Sequence, residues 1–78
     1  MPHYFFHVRE GESLICDPEG SDLPNEAAAR AYAVAAARSL LSTDVLAGRL
    51  PLSHAIEVAD EGGRTLLIVA FGEAVTPA

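Results

Sequence analysis

The residues in this chain with chemistry to offer are three histidines, one cysteine and a run of carboxylates. His3 and His7 lie four residues apart in an aromatic, β-branched stretch, His-Tyr-Phe-Phe-His-Val-Arg. In extended backbone that spacing puts both side chains on one face but holds their Cα atoms ~13 Å apart, too far to share one metal ion easily. His7 and His54 can meet only across paired strands, in a register that spacing alone leaves open. A histidine so placed would serve general acid–base chemistry, because its pKa lies near neutrality. No HExxH, CxxC, Walker or glycine-rich dinucleotide motif accompanies them. His7 therefore reads as a surface or interface residue.

Cys16 is the only cysteine. A reactive thiolate needs a cationic neighbour to lower its pKa, and the adjacent sequence offers only Asp17 and Glu19. Cys16 is expected to pack as a small buried hydrophobe. Glu10, Glu12, Asp17, Glu19, Asp22 and Glu26 fall within seventeen residues. A calcium loop of the EF-hand type needs acids at alternate positions and glycine at the sixth. Counted from Asp17, Gly20 comes fourth and Pro18 interrupts, so the run reads as a solvated acidic loop. The sequence assigns no catalytic residue, no metal ligand and no cofactor.

Five arginines, no lysine and eleven acids give a net charge of -6 over 78 residues. Arg9, Arg30, Arg38, Arg49 and Arg64 are scattered, whereas a phosphate backbone is bound by clustered cations. Nucleic acid is thus an unfavoured partner, and acidity also disfavours anionic membrane surfaces. No segment reaches the ~20 apolar residues of a membrane span. The N-terminus lacks the basic start and apolar stretch of a signal peptide, and Met1 reads as the head of a complete frame. With a lone cysteine, the chain is expected to be cytoplasmic. It is expected to form one domain over residues 1–72, followed by a flexible tail, 73–78.

The elements that must position these residues are organised around one helix. From Asn25 to Gly48 there is no proline or glycine inside an alanine-dominated run, and alanine has the lowest helical cost of any residue. Asn25 is a good N-cap and Gly48 a good terminator. Ala29, Ala33, Ala36, Ala37 and Leu40 form a narrow stripe with Leu41 at its edge, predicted to face a sheet. The helix is longer than a strand, so Asp44–Ala47 should overhang, leaving Tyr32, Val45 and Leu46 partly exposed.

Four strands flank it. Tyr4–Arg9 alternates, with Tyr4, Phe6 and Val8 toward the helix and His3, Phe5, His7 and Arg9 away from it. Gly11 supplies a turn into Ser13–Asp17, where Ile15 should lie on the opposite face from Leu14 and Cys16. Asp17-Pro18-Glu19-Gly20 reads as a turn, and Ser21–Pro24 as a polar connection. His54–Asp60 alternates, Asp60-Glu61-Gly62-Gly63 is a strong hairpin signal, and Arg64–Phe71 is nearly continuous apolar sequence.

The resulting fold class is α+β, with order β-β-α-β-β: a four-stranded antiparallel sheet carrying one long helix on one face. The other face would expose Phe5, Ile15 and one side of the last strand. Soluble monomers rarely leave such a patch open, so the chain is predicted to be a self-associating interaction module, a homodimer. Phe5, His7, Ile15, Val69 and Phe71 are the interface candidates, and an unidentified protein partner on an edge strand is a related possibility. Two other classes stand behind it. A nucleic-acid-associated, antitoxin-like regulator would require Arg9, Arg49 and Arg64 to form one positive patch. A small histidine-dependent enzyme would require His7 and His54 to meet carboxylates in one pocket.

The opening Met-Pro-His-Tyr-Phe-Phe-His, the Asp17–Gly20 turn, the alanine-rich Ala28–Leu41 segment and the Val58–Leu66 hairpin together resemble a family of short bacterial, mainly alphaproteobacterial, proteins that open M-P-x-Y-F-F-H. That family is a domain of unknown function. The resemblance implies a bacterial origin and carries over no activity and no site residues.

Overall fold

A computed structural model describes residues 1–75. In chain order the elements are β1 (His3–Glu10), β2 (Ser13–Ile15), β3 (Ser21–Asp22), α1 (Glu26–Leu46), β4 (Ala55–Ala59), β5 (Thr65–Ala70) and a closing 3-10 turn (Phe71–Ala74). The fold is α+β, an antiparallel sheet with the long helix packed on one face. It has five strands rather than the expected four. Ser21–Asp22, read as a connection, pairs with His3–Tyr4 and so shares an edge of β1 with β2. The remaining order is β2-β1-β4-β5, which places β1 and β4 at the centre.

Register decides which side chains meet the helix. Phe6 pairs with Val58, and Val58 with Leu67; Val8 pairs with Ile56, and Ile56 with Val69. Directly paired residues share a face, so these apolar rows all lie under α1. Across them run Ala29, Ala33, Ala37 and Leu41, each buried. The small alanines let the helix sit close to the sheet, whose Tyr4, Phe6, Ile56, Val58, Val69 and Phe71 supply the bulk. Each large side chain fully withdrawn from water contributes about 1.5–3 kcal/mol.

The helix stripe differs from the expected one at a single turn. Leu41 is in the core and Leu40 is partly exposed. A strict i+4 series drifts about 40° per step around an α-helix. The contact line therefore winds across the helix as it crosses the twisted sheet, and by the last turn it has passed from Leu40 to Leu41.

Both helix ends are closed as the sequence predicts. The Asn25 side chain accepts the Ala28 N–H at 2.9 Å. At the far end the Gly48 N–H bonds to the Val45 carbonyl and the Arg49 N–H to the Asp44 carbonyl, a Schellman arrangement with Gly48 at φ 85. The β4–β5 hairpin is also as expected. The Asp60 carboxylate accepts the N–H groups of Gly62 and Arg64.

Two local expectations are corrected. Glu73 and Ala74, assigned to a tail, belong to the 3-10 turn; Ala74 is buried and its carbonyl accepts a hydrogen bond from Arg38 Nε. Residues 76–78 of that tail lie outside the described residues. Cys16 is exposed, because β2 ends at Ile15 and the chain then turns off the sheet.

Candidate functional site

The side of the sheet away from α1 carries His3, Phe5, His7 and Arg9 from β1, with Ala55, Glu57 and Ala59 from β4 and Ile68 from β5. The rings of β1 form a ladder. His3 meets Phe5 edge-on at 5.1 Å between centroids, and Phe5 stacks on His7 at 6.2 Å. Glu57 stands directly opposite His7 but accepts from Arg9 Nε at 2.7 Å. Ala55 and Ala59 are buried here beside their cross-strand partners Arg9 and Phe5. The face is thus partly covered by its own ion pair and aromatic ring. It presents a mixed surface of aromatic and charged side chains.

Of the five interface candidates, only Phe5 and His7 lie on this face, both half-buried. Ile15 is exposed, but it pairs with Val8 and therefore lies on the helix side. The expectation failed because β2 starts from a two-residue turn whose register places Leu14, not Ile15, opposite Arg9. Val69 and Phe71 are buried beneath the helix and are core residues. The β5 run is apolar on both sides, so its pattern could not say which alternate set faces inward. Ile68 is the member of that strand left open on the outer face.

One edge of β1 carries a further arrangement. β2 covers Val8–Glu10 and β3 covers His3–Tyr4, and Phe6 lies in the gap between them. Asp17 fills it. Its Oδ2 accepts the Phe6 N–H at 3.1 Å, and its Oδ1 accepts the N–H groups of Glu19 and Gly20. Its own N–H donates to His7 Nδ1 at 3.0 Å, which fixes the His7 ring proton on Nε2. Partial burial pushes the Asp17 carboxyl up. The amides of Gly20, Phe6 and Glu19 outweigh that and hold it below the usual carboxylate range. His3 clamps the same loop from the other side, with Nδ1 2.6 Å from Asp22 Oδ1 and Nε2 2.7 Å from the Glu19 carbonyl. Both neighbours are acceptors, so the imidazolium is favoured: the Asp22 bond first and the Glu19 carbonyl second raise the His3 pKa.

The histidines are therefore placed by structure rather than for joint chemistry. His54 packs edge-on against Phe71 on the helix side, with Nδ1 3.9 Å from Glu10 Oε2, whereas His7 is on the opposite face. They do not share a pocket. Nor do the arginines form one patch. Arg9 pairs with Glu57, Arg49 with Asp44, and Arg64 stands at the β4–β5 turn. Among the described residues no group of three His, Cys, Asp or Glu side chains is arranged to hold a metal ion. No helix among them is long and apolar enough to cross a membrane.

A feature that sequence reading passed over lies where α1 ends. Val45, Leu46, Leu50 and Leu52 are exposed by 51%, 87%, 64% and 43%. Val45 and Leu46 belong to the predicted overhang, and Leu50 and Leu52 add to it from the loop that follows. The available signal was the apolar Leu-Pro-Leu of a loop that begins beyond the sheet.

Neither the curated proteins nor the solved structures compared with this sequence show a match. Residues 3–72 match the family described as Domain of unknown function (DUF6894), from the first residue of β1 to the 3-10 turn. The chain belongs to that family.

Proposed function

We propose that this protein is a self-associating interaction module, a twofold homodimer joined through the end of the molecule where α1 terminates. The observation that carries the reading is the exposure of Val45, Leu46, Leu50 and Leu52 within eight residues, beyond the reach of the sheet. An apolar group of this kind gains by burial against its own copy, and a twofold axis lets one patch serve both sides. The outer sheet face is the less favoured surface, since the Arg9–Glu57 pair occupies its middle and an ion pair there would have to be desolvated. An exposed, unpaired Cys16 supports residence in a reducing, cytoplasmic compartment.

Light scattering after size exclusion, across a dilution series, tests the reading. The expected mass is about twice the 8.2 kDa of one chain. A Leu46→Glu/Leu50→Glu double variant should run as a folded monomer, while Phe5→Ser/Ile68→Lys should remain dimeric. A monomer at every concentration overturns the proposal. Dissociation by the second pair alone moves the interface to the outer sheet face, where Phe5 and His7 lie.

A further inference from the structure

Between α1 and the β1–β2 hairpin lies a cavity of about 250 Å³. Its walls are apolar: Val8 and Ile15 from the hairpin, Leu40 from the helix, and Phe71 from the 3-10 turn. Its rim is polar in one sense only. Glu10 and Asp44 contribute carboxylates, and Thr43 contributes a hydroxyl whose proton is directed to the Ser39 carbonyl. Every polar side chain on the lining thus presents an oxygen acceptor.

Those acceptors are incompletely engaged. Arg49 places both Nε and Nη2 on Asp44 Oδ1, at 3.3 and 3.0 Å, leaving Oδ2 without a side-chain partner among the described residues. Among the described residues Glu10 pairs with no guanidinium, and the imidazole near it is His54, with Nδ1 3.9 Å away. The buried Nδ1 of that histidine has no hydrogen-bond partner among the described residues, and its ring packs edge-on against Phe71, which lines the cavity. An anion would meet the Glu10 and Asp44 carboxylates, and a purely apolar molecule would leave Glu10 and the second Asp44 oxygen unengaged. A protonated amine satisfies both parts. Its N–H groups make charge-assisted bonds to the rim, and its carbon body replaces water on the walls. The volume lies below the ~300–1,000 Å³ of sites for drug-sized ligands, which restricts that body to one ring or a short alkyl chain.

We propose that this cavity is a binding site for a small organic cation, a primary amine carrying a compact apolar body. The site borders the Val45–Leu52 surface, to which Arg49 ties Asp44, but none of its lining residues belongs to that surface, and it does not depend on self-association.

The test is a titration of the full ¹⁵N-labelled chain at pH 7 with 2-phenylethylamine, its neutral analogue 2-phenylethanol and the anionic phenylacetate. The amine should produce saturable shifts at the amides of Val8, Ile15, Thr43 and Phe71. A hydrogen bond to a charged group is worth about tenfold to a hundredfold in affinity, so the alcohol should bind weaker by that factor. Glu10→Gln, at a partly exposed side chain, should lower amine affinity about tenfold toward that of the alcohol. Leu40→Trp should fill the cavity and abolish the shifts. Repeating the titration on Leu46→Glu/Leu50→Glu should give the same result, which separates binding from any change of oligomeric state. Equal affinity for amine and alcohol overturns the proposal, as does binding of phenylacetate at comparable strength. Absence of saturable shifts around the cavity also overturns it.

Discussion

At the scale of single residues, Asp17 contributes more than its place in a solvated acidic run suggests. It stands in for a missing strand, and removing it leaves the Phe6 N–H without that partner and the loop without its turn. Asp17→Ala should cost about 1–3 kcal/mol in urea unfolding. Gly20 is constrained twice. Its φ is 69, and a Cβ there would stand 2.6 Å from both His3 Nε2 and the Tyr4 carbonyl oxygen. Gly48 shares the positive φ but faces open space. Gly48→Ala should cost about 1–2 kcal/mol, the penalty of left-handed backbone. Gly20→Ala should cost clearly more, because backbone cannot swing aside as a side chain can. The His3 clamp predicts a pH dependence of defined sign. A histidine whose folded pKa is raised stabilises the fold fully below its unfolded value, near 6.5, and loses that contribution as pH rises through the higher folded value. The difference in urea midpoint between the wild type and His3→Gln should therefore be greatest near pH 5.5 and shrink toward pH 8. A difference that grows with pH would refute the clamp.

Among the elements, the helix is held by closeness rather than by bulk. Ala33 is fully buried midway along the contact line, so a larger side chain there must push the helix off the sheet. Ala33→Leu should destabilise by about 1–3 kcal/mol even though leucine is a good helix former and more apolar. The same substitution at exposed Ala35 should be nearly neutral, and thermal melts of the two variants decide the point. Strand β5 ends the sheet, and its open side is restrained from adding another strand. A register shift opposite Val58/Ala59 disturbs its start, and the Glu73 carboxylate accepts the Ala70 N–H at its end. Such features protect edges from pairing, which is why we place self-association at the helix end.

For the whole molecule, charge and shape act together. The described chain extends 37 × 28 × 16 Å and the protein carries a net charge of -6, so two copies brought together repel at low salt. The Debye length falls from about 30 Å at 0.01 M to about 8 Å at 0.15 M. A dimer joined by apolar side chains should therefore tighten as salt is added over this range, measurable as a lower dissociation constant by sedimentation. Attachment to a phosphate backbone would respond in the opposite direction.

The amino-acid order determined much that depends on neighbours along the chain. The alternation of Tyr4–Arg9, the alanine run with its Asn25 and Gly48 ends, and the Asp60–Gly63 hairpin are local preferences of backbone and side chain. Their sum defined an α+β fold with one helix on an antiparallel sheet. What sequence could not determine depends on register and on contacts distant in the chain. Whether Val69 or Ile68 turns inward follows from how β5 pairs with β4, and Ile15 changes sides with a one-residue difference in where β2 meets β1. Asp17 reaches the Phe6 amide, and Ser21–Asp22 becomes a fifth strand, only after the chain has folded back on β1. Glu10, Asp44 and Phe71, far apart in sequence, line one cavity because the helix crosses the sheet at one angle, which packing of the whole core selects.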